Sequence, residues 1–183
     1  DFIGYGFPGH EHCSMRILPG AKAMFLDLET ALAKAKHYVH IEYYKWYNDR
    51  IGRHLLDILA ECASRGVQVR LVYDAFGNSG KAPAFTREFA EQYKARGIRM
   101  VGFDPMRFPY VNHALHRLHR KMVIIDGRMV YTGGMNVADY YIHGKPELGK
   151  WGDMNAVLTG PIVEEYQRLF ADLWYKECGE KLD

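Results

Sequence analysis

The chain has 183 residues, of which 48% are hydrophobic and 25% are charged, and its formal net charge at pH 7 is +2. This is the balance of one soluble globular domain, and a chain of this length buries roughly 70% of its unfolded surface without a disulfide or metal. Charges interrupt every apolar stretch before the roughly 20 residues of a membrane span, no signal peptide is visible, and so small a net charge does not by itself indicate a nucleic-acid binder.

The first half of the chain alternates helical and strand-like periodicities. Helices are indicated where apolar residues recur three or four apart, and strands where β-branched and aromatic residues run together. The predicted helices cover residues 21–37, 51–65 and 83–96, and the predicted strands cover residues 38–46, 67–73 and 98–101. Because helices and strands alternate, the sequence predicts an α/β fold with a mixed, largely parallel sheet that helices flank on both faces.

The second half of the chain does not continue this alternation of helices and strands. Residues 102–117 have no clean period, and a connection of that length in a compact domain is usually functional or mobile. Asp126-Gly127 is a strong hairpin signal between two strands. The predicted strands here cover residues 118–125, 128–132 and 154–158, and a last helix begins at Pro161. No internal repeat is present, so residues 1–183 are predicted to form one domain.

Basic residues and histidines concentrate between Pro105 and Ile125, where the sequence has no Asp or Glu. A local excess of hydrogen-bond donors suits an anionic substrate such as phosphate, although a solvated basic loop also explains the charge. Three histidines in this stretch raise the possibility of zinc, but they run from an irregular segment into a strand, which disfavours a metal site. The residues concerned are Arg107, His113, His116, Arg117, His119, Arg120 and Lys121.

His119 and Lys121 stand two residues apart on a predicted strand, so their side chains leave the same face about 7 Å apart. One phosphate group can contact both. A histidine near its usual pKa of about 6.5 serves as a nucleophile or an acid, and a lysine is a compact charge for non-bridging phosphate oxygens. The pair alone is a weak signal, since His143-Gly144-Lys145 repeats the spacing elsewhere in the chain.

A longer pattern surrounds the first of these pairs. Four residues separate Lys121 from Asp126, and six more separate Asp126 from Gly133-Gly134-x-Asn136. This spacing resembles the HKD signature of the phospholipase D superfamily, H-x-K-x4-D-x6-G-[GS]-x-N. The superfamily has a layered α/β fold, which agrees with the predicted elements.

Three further segments extend the resemblance over roughly residues 17–174. They are His40-Ile41-Glu42-Tyr43-Tyr44, Tyr73-Asp74-Ala75-Phe76-Gly77 and Trp151-Gly152-Asp153. Together they look most like the N-terminal catalytic domain of bacterial cardiolipin synthases. Two positions depart from these relatives, because Gly134 replaces a frequent Ser and Gly152 replaces a frequent Arg.

The resemblance implies a two-step phosphodiester exchange without a metal or other cofactor. One motif histidine attacks phosphorus to form a phosphohistidine, while the histidine of a second motif protonates the leaving alcohol. Carried over, His119 is either the nucleophile or the acid, Lys121 and Asn136 hold phosphate oxygens, and Asp153 orients His119 and stabilises its cationic form. The residues expected to contact substrate are Glu42, Arg117, Gly133 and Gly134.

Asp126 is the position where the signature and local geometry disagree. The signature counts it among the catalytic residues. However, it lies five residues after Lys121 and would face the other way on a continuous strand, and Asp126-Gly127 is already explained by the hairpin turn. We therefore favour a structural role for Asp126 in the turn.

The favoured function is phosphatidyl transfer of the cardiolipin synthase type, with a phosphatidylglycerol-type phospholipid as substrate. One alternative is a metal-independent HKD nuclease that works as a dimer, although nucleic acid is the less favoured substrate. Another is a catalytically silent half that binds phosphate or supports a partner domain.

The resemblance also carries expectations about the rest of the assembly. The chemistry needs two HKD motifs and this chain has one, so a second HKD domain is expected in the same chain or in a dimer partner. The start at Asp1 favours an excised part of a longer chain. The substrate implies a bacterial cell membrane, reached at its surface or through segments outside these residues, with the domain itself soluble.

Overall fold

A computed structural model of the chain describes residues 9–75, 78, 84–103, 118–147 and 149–182. The strands in these residues are β1 (Ser14–Pro19), β2 (Tyr38–Tyr43), β3 (Gln68–Asp74), β4 (Arg99–Phe103), β5 (Met122–Ile125), β6 (Met129–Gly133) and β7 (Met154–Thr159). The helices are α1 (Ala21–Leu32), α2 (Arg50–Ser64), α3 (Arg87–Lys94), α4 (Tyr140–His143) and α5 (Ile162–Cys178).

The strands form one sheet in the order β1-β7-β6-β5-β2-β3-β4. The expected mixed α/β sheet is confirmed, but the expectation that it is largely parallel is corrected. Of the six pairings among described strands, only β2–β3 and β3–β4 are parallel, and four are antiparallel. Helical connections keep β2, β3 and β4 parallel, whereas the turn after β5 reverses the chain and β1 pairs with β7.

Helices cover both faces of the sheet, as the sequence predicts. On one face, Met24 of α1, Leu55 of α2 and Phe89 of α3 belong to the larger hydrophobic core. On the other face, Phe170 and Trp174 of α5 belong to a second core. Each leucine-sized side chain buried in this way stabilises the fold by roughly 1.5–3 kcal/mol. None of the helices in the described residues has the length and apolar run needed to cross a membrane.

The strands alternate between these two cores, which explains their continuous apolar sequences. In β5, Val123 and Ile125 face the larger core, while Met122 and Ile124 face the core under α5. All four side chains are buried. A strand covered on both faces therefore loses the apolar–polar alternation of a half-exposed strand.

Several element boundaries differ from the predicted ones. β1 was not predicted, because it is an edge strand in which Leu18 alone is buried. α4 was not predicted either, since four residues are too few to show a helical period. β5 begins at Met122, so His119 and Lys121 lie in the segment that leads into the strand.

Candidate active site

The residues of the signature other than Asp126 lie at one end of the sheet. β2 and β6 end there, while β5 and β7 begin there. The strand register places Glu42 of β2 opposite Met122 of β5, and Gly133 of β6 opposite Asn155 of β7. The segments that continue from these strands therefore share one edge, which carries Tyr44, His119, Lys121 and Asp153.

His119 is exposed at this edge, and its ring stacks on Tyr44, the residue that directly follows β2. The ring centroids are 4.9 Å apart and the planes differ by 23°. Stacking on Tyr44 favours this orientation of the imidazole. Within the described residues no hydrogen bond joins the His119 ring to Asp153, so the orienting role of Asp153 stays a prediction.

Lys121 also lies over the Tyr44 ring, which we call the Tyr44 platform. Its ammonium is 5.6 Å from the Tyr44 ring centroid, and it also donates a hydrogen bond to the carbonyl oxygen of His119. Burial lowers the pKa of Lys121 below its ordinary value, while attraction to Asp153 and then Glu42 opposes that decrease. Tyr44 thus contacts both basic residues, in agreement with the prediction that their side chains leave the same face.

Glu42 lies beneath this segment and is fully buried, with 0% of its surface exposed. Its Oε1 accepts a hydrogen bond of 2.8 Å from Nε of Arg120, and its Oε2 is buried without a hydrogen-bond partner among the described residues. Desolvation raises the pKa of Glu42, although Arg120 and Lys121 oppose that rise. Because Arg120 stands between the two motif residues, we expect Glu42 to position their segment instead of contacting substrate directly.

The two glycines of the signature allow β6 and β7 to approach closely. A Cβ atom on Gly133 would lie 2.1 Å from Oδ1 of Asn155 and 2.6 Å from the carbonyl oxygen of Met154. A Cβ atom on Gly134 would lie 2.6 Å from Oδ1 of Asp153. The absence of a side chain on Gly134 therefore lets the Asp153 carboxylate pack against the backbone at the edge of the site, and its absence on Gly133 makes room for the Asn155 side chain.

Asn136 is buried and connects two elements next to the site. Its Oδ1 accepts a 3.1 Å hydrogen bond from the backbone N–H of Lys45, and its Nδ2 donates to the hydroxyl of Tyr141 at 3.2 Å. An amide nitrogen carries two hydrogens, so one remains for a ligand. The contact between Asn136 and phosphate stays a prediction.

A groove of about 470 Å³ adjoins His119 on the side of α5. Its apolar lining comes from Phe103, Leu118, Leu169 and Leu173, and Glu42 and Arg120 also line it. Arg117, His113 and His116 lie outside the described residues. Among the residues that are described, no group of three or more His, Cys, Asp or Glu side chains is arranged to hold a metal ion.

Asp126 lies at the opposite end of β5 from Lys121, about 17 Å along an extended chain, which supports the structural role that we favour over a catalytic one. Its carboxylate accepts hydrogen bonds of 2.9, 2.8 and 3.0 Å from the backbone N–H groups of Lys36, His37 and Tyr38. Partial burial acts to raise the pKa of Asp126, but these three donors outweigh it and lower the pKa. Asp126 therefore holds the α1–β2 loop.

We expect Asp126→Ala to lower the free energy of unfolding by about 2–4 kcal/mol, because three donors lose their acceptor and alanine is strained at a positive φ. The native φ of Asp126 is 51°. Because folding lowers this pKa, its contribution to stability is present above the unfolded-state pKa of about 3.9 and is lost as the pH falls through the folded value. Urea denaturation between neutral and acidic pH measures both effects.

The conservative variant Asp126→Asn keeps an acceptor and a side chain that tolerates positive φ. We expect it to fold and to retain the wild-type catalytic rate per folded molecule. An unchanged unfolding free energy in Asp126→Ala, combined with a lost catalytic rate, would instead assign Asp126 to the chemistry.

Comparison with known proteins agrees with this arrangement. Residues 28–174 match the family described as "Cardiolipin synthase, PLD-like domain". The cardiolipin synthase of Geobacillus kaustophilus is 35% identical over 91% of this chain and 32% of that protein. The cardiolipin synthase of Halalkalibacterium halodurans is 33% identical over 91% of this chain and 33% of that protein. The chain therefore spans about a third of the length of these curated relatives.

Solved structures share the fold at lower sequence identity. Nuc from Salmonella typhimurium, a phospholipase D family member, superposes with a TM-score of 0.68 and 19% identity, covering 91% of this chain and 97% of that one. Phosphatidylserine synthase from Haemophilus influenzae superposes with a TM-score of 0.71 and 15% identity, covering 86% of this chain and 36% of that one. At these identities the likeness concerns the fold alone.

Proposed function

Because the chain belongs to the family of cardiolipin synthase PLD-like domains, we propose that it supplies one half of a two-histidine active site for phosphatidyl transfer. The observation that carries the proposal is the exposed His119 ring stacked on Tyr44, with the Lys121 ammonium over the same ring. This arrangement presents a nitrogen and a positive charge to one phosphate group. The reaction is a phosphodiester exchange between alcohols.

The proposed exchange has two balanced steps. A histidine nitrogen attacks phosphorus, the bond from phosphorus to the leaving glycerol oxygen breaks, and the opposing histidine gives that oxygen a proton. In the second step the acceptor alcohol gives its proton to the opposing histidine, attacks phosphorus and breaks the phosphorus–nitrogen bond. His119 takes one of the two histidine roles, and Lys121 stabilises the charge on the non-bridging oxygens.

The surroundings of His119 support a phospholipid substrate. The adjoining groove has an apolar wall of Phe103, Leu118, Leu169 and Leu173, and Arg120, Asp172 and Lys176 add charges of both signs to its lining. Such a wall suits the hydrocarbon side of a glycerophospholipid, whereas a nucleic-acid channel is lined by cations along its length. We therefore propose a phosphatidylglycerol-type lipid at a bacterial membrane surface as the substrate.

The mechanism needs a second histidine on the far side of the phosphate. This chain carries the full signature once, at His119 to Asn136, and it spans about a third of its curated relatives. We propose that a second HKD domain, in the same protein or in a dimer partner, faces this edge of the sheet and completes the site.

The test is product formation by the full-length protein in the presence of a chelator. We expect phosphatidylglycerol to be converted to cardiolipin and glycerol without added metal, because cationic side chains stabilise the charge. Plasmid DNA incubated under the same conditions provides the matched comparison. Nicking of the plasmid with no conversion of lipid would replace the proposal by the nuclease alternative, and inactivity on both substrates would favour a silent phosphate-binding half.

A further inference from the structure

A second cavity, of about 560 Å³, lies toward the other end of the sheet from His119, and the proposed function does not use it. Its floor includes His40 of β2 and Arg70 of β3, which are opposite each other in the strand register. Tyr44 is four residue steps of extended chain beyond His40, so the cavity floor is about 13 Å from the Tyr44 ring of the active site. The lining comes from β2, β3, α5, the loops before the two strands and the segment after α5: Lys36, His37, Tyr38, His40, Gly66, Gln68, Arg70, Gln167, Glu180, Lys181 and Leu182.

The guanidinium of Arg70 is a buried charge that its neighbours compensate incompletely. Its side chain is only 10% exposed, and its Nε is buried without a hydrogen-bond partner among the described residues. Nη1 lies 3.3 Å from Nε2 of His40, and Nη2 lies 3.5 Å from Glu180. Arginine does not lose its proton in proteins, so a buried guanidinium needs an anion or acceptors to offset its desolvation.

The neighbouring acid and histidine compensate this charge only in part. Glu180 is closer to Arg99, at 2.6 Å, and it also accepts a 2.7 Å hydrogen bond from Nε1 of Trp174. Desolvation lowers the pKa of His40 to about 4, so its imidazole is neutral at pH 7 and accepts a hydrogen bond from Arg70 without contributing a charge. The long Glu180 contact and the Trp174 ring, 5.9 Å from the guanidinium carbon, therefore offset the charge of Arg70 only in part.

Two exposed lysines add to this charge at the cavity lining. In the part of the chain that the structure describes, no carboxylate forms an ion pair with Lys36 or Lys181. Among the described residues, the lining thus contains three cations, Lys36, Arg70 and Lys181, and one acid, Glu180. Asp126 lies behind Lys36, but its carboxylate already accepts three backbone hydrogen bonds.

We propose that this cavity is a second, non-catalytic site that binds a phosphate group. Three cations and one acid leave an excess of two positive charges in the lining, which matches a phosphate dianion better than a carboxylate. The amides of Gln68 and Gln167 provide further donors around such a ligand. A phospholipid headgroup and a free phosphate compound share this chemistry, and the experiment separates them.

The experiment is calorimetric titration of the 183-residue chain with inorganic pyrophosphate, in a His119→Ala/Lys121→Met background that removes phosphate binding at the active site. We expect binding at one site, weakened by added NaCl because the contacts are ionic. Lys36→Ala/Lys181→Ala in this background should weaken binding by about tenfold or more, since two charges at the ligand are removed. Both lysines are exposed, so the urea midpoint should not change.

The matched control is Lys22→Ala/Lys94→Ala, which removes two exposed positive charges outside the cavity. It should change the affinity by less than about twofold, because distant surface charges are screened. Absence of pyrophosphate binding in the His119→Ala/Lys121→Met background would overturn the proposal. Equal weakening by the two double variants would also overturn it.

Vesicles then identify the source of the phosphate. If the ligand is a lipid headgroup, phosphatidylglycerol-containing vesicles compete with pyrophosphate and phosphatidylcholine vesicles do not, and Lys36→Ala/Lys181→Ala reduces the competition. If the ligand is a free phosphate compound, neither kind of vesicle competes. Either pattern supports a phosphate site in this cavity. Since Lys36, Arg70 and Lys181 lie outside the active site, failure of this proposal leaves the proposed transfer function untouched.

Discussion

Replacing His119 with alanine is expected to lower the rate of phosphatidyl transfer by the full-length protein by at least about a thousandfold. Whether this histidine attacks phosphorus or protonates the leaving alcohol, its loss removes a group that no neighbour replaces at the Tyr44 platform. Because the ring is exposed and is not part of a hydrophobic core, the variant should keep the unfolding free energy of the wild type. Conversion of phosphatidylglycerol to cardiolipin measures the rate.

His143 provides a matched control within the same chain. It is an exposed histidine that also precedes a lysine by two residues, but it lies at the end of α4 and outside the signature. His143→Ala should retain the wild-type rate to within about twofold, as surface substitutions usually do. Wild-type transfer by His119→Ala, or equal losses in the two variants, would contradict the assignment of His119.

Replacing Lys121 with methionine is expected to lower kcat by about a hundredfold or more, with a smaller effect on KM. The ammonium stabilises negative charge that grows on the phosphate oxygens as the phosphorus bonds change, so its contribution is largest in the transition state. Methionine preserves much of the apolar stem over Tyr44. Steady-state kinetics of the full-length protein measure the separate effects on kcat and KM.

The pH–rate profile offers a second readout for Lys121. Because burial lowers its pKa, the loss of charge on this side chain contributes an alkaline decrease in rate that lies below the pKa of an ordinary lysine. That decrease should be absent from the profile of Lys121→Met. Lys145→Met is the control, since the Lys145 ammonium also lies over an aromatic ring, 4.3 Å from the Tyr140 centroid. An equal loss of kcat in the control would contradict the role of Lys121.

The site residues that the sequence predicted are those joined by short spacings. His119 and Lys121 are two residues apart, and Gly133 and Gly134 stand at the end of β6, so local geometry already places these residues close to the site. The turn role of Asp126 was also predicted locally, from the Asp-Gly pair. In the structure Asp126 and Gly127 adopt positive φ angles of 51° and 62°, which a tight hairpin turn needs.

The contacts that the sequence did not predict depend on strand register. Glu42 pairs with Arg120 because β2 lies antiparallel to β5 with Glu42 opposite Met122. The Tyr44 platform has the same origin, since Tyr44 follows β2 and His119 precedes β5. The sequence shows an acid, Glu42, in a predicted strand and an arginine, Arg120, inside the His-x-Lys pair. Only the pairing of β2 with β5 brings these two side chains into contact.

The antiparallel pairings beyond the predicted β5–β6 hairpin were missed for a similar reason. Alternating helices and strands correctly indicated β2, β3 and β4, which are parallel. β1 has a mostly exposed sequence, and its place beside β7 is determined by a pairing across nearly the whole chain. Such long-range pairings leave little trace in the local periodicity of a single sequence.

The measurement that tests the central claim most directly is the trapping of a phosphoenzyme. The full-length protein is mixed with phosphatidylglycerol carrying a labelled phosphate, quenched rapidly with alkali and examined for covalently bound label. A two-histidine exchange predicts an alkali-stable, acid-labile phosphohistidine whose rate of formation falls at least about a thousandfold in His119→Ala. Product formation without any phosphoenzyme, or a phosphoenzyme that forms equally fast in His119→Ala, would contradict the account.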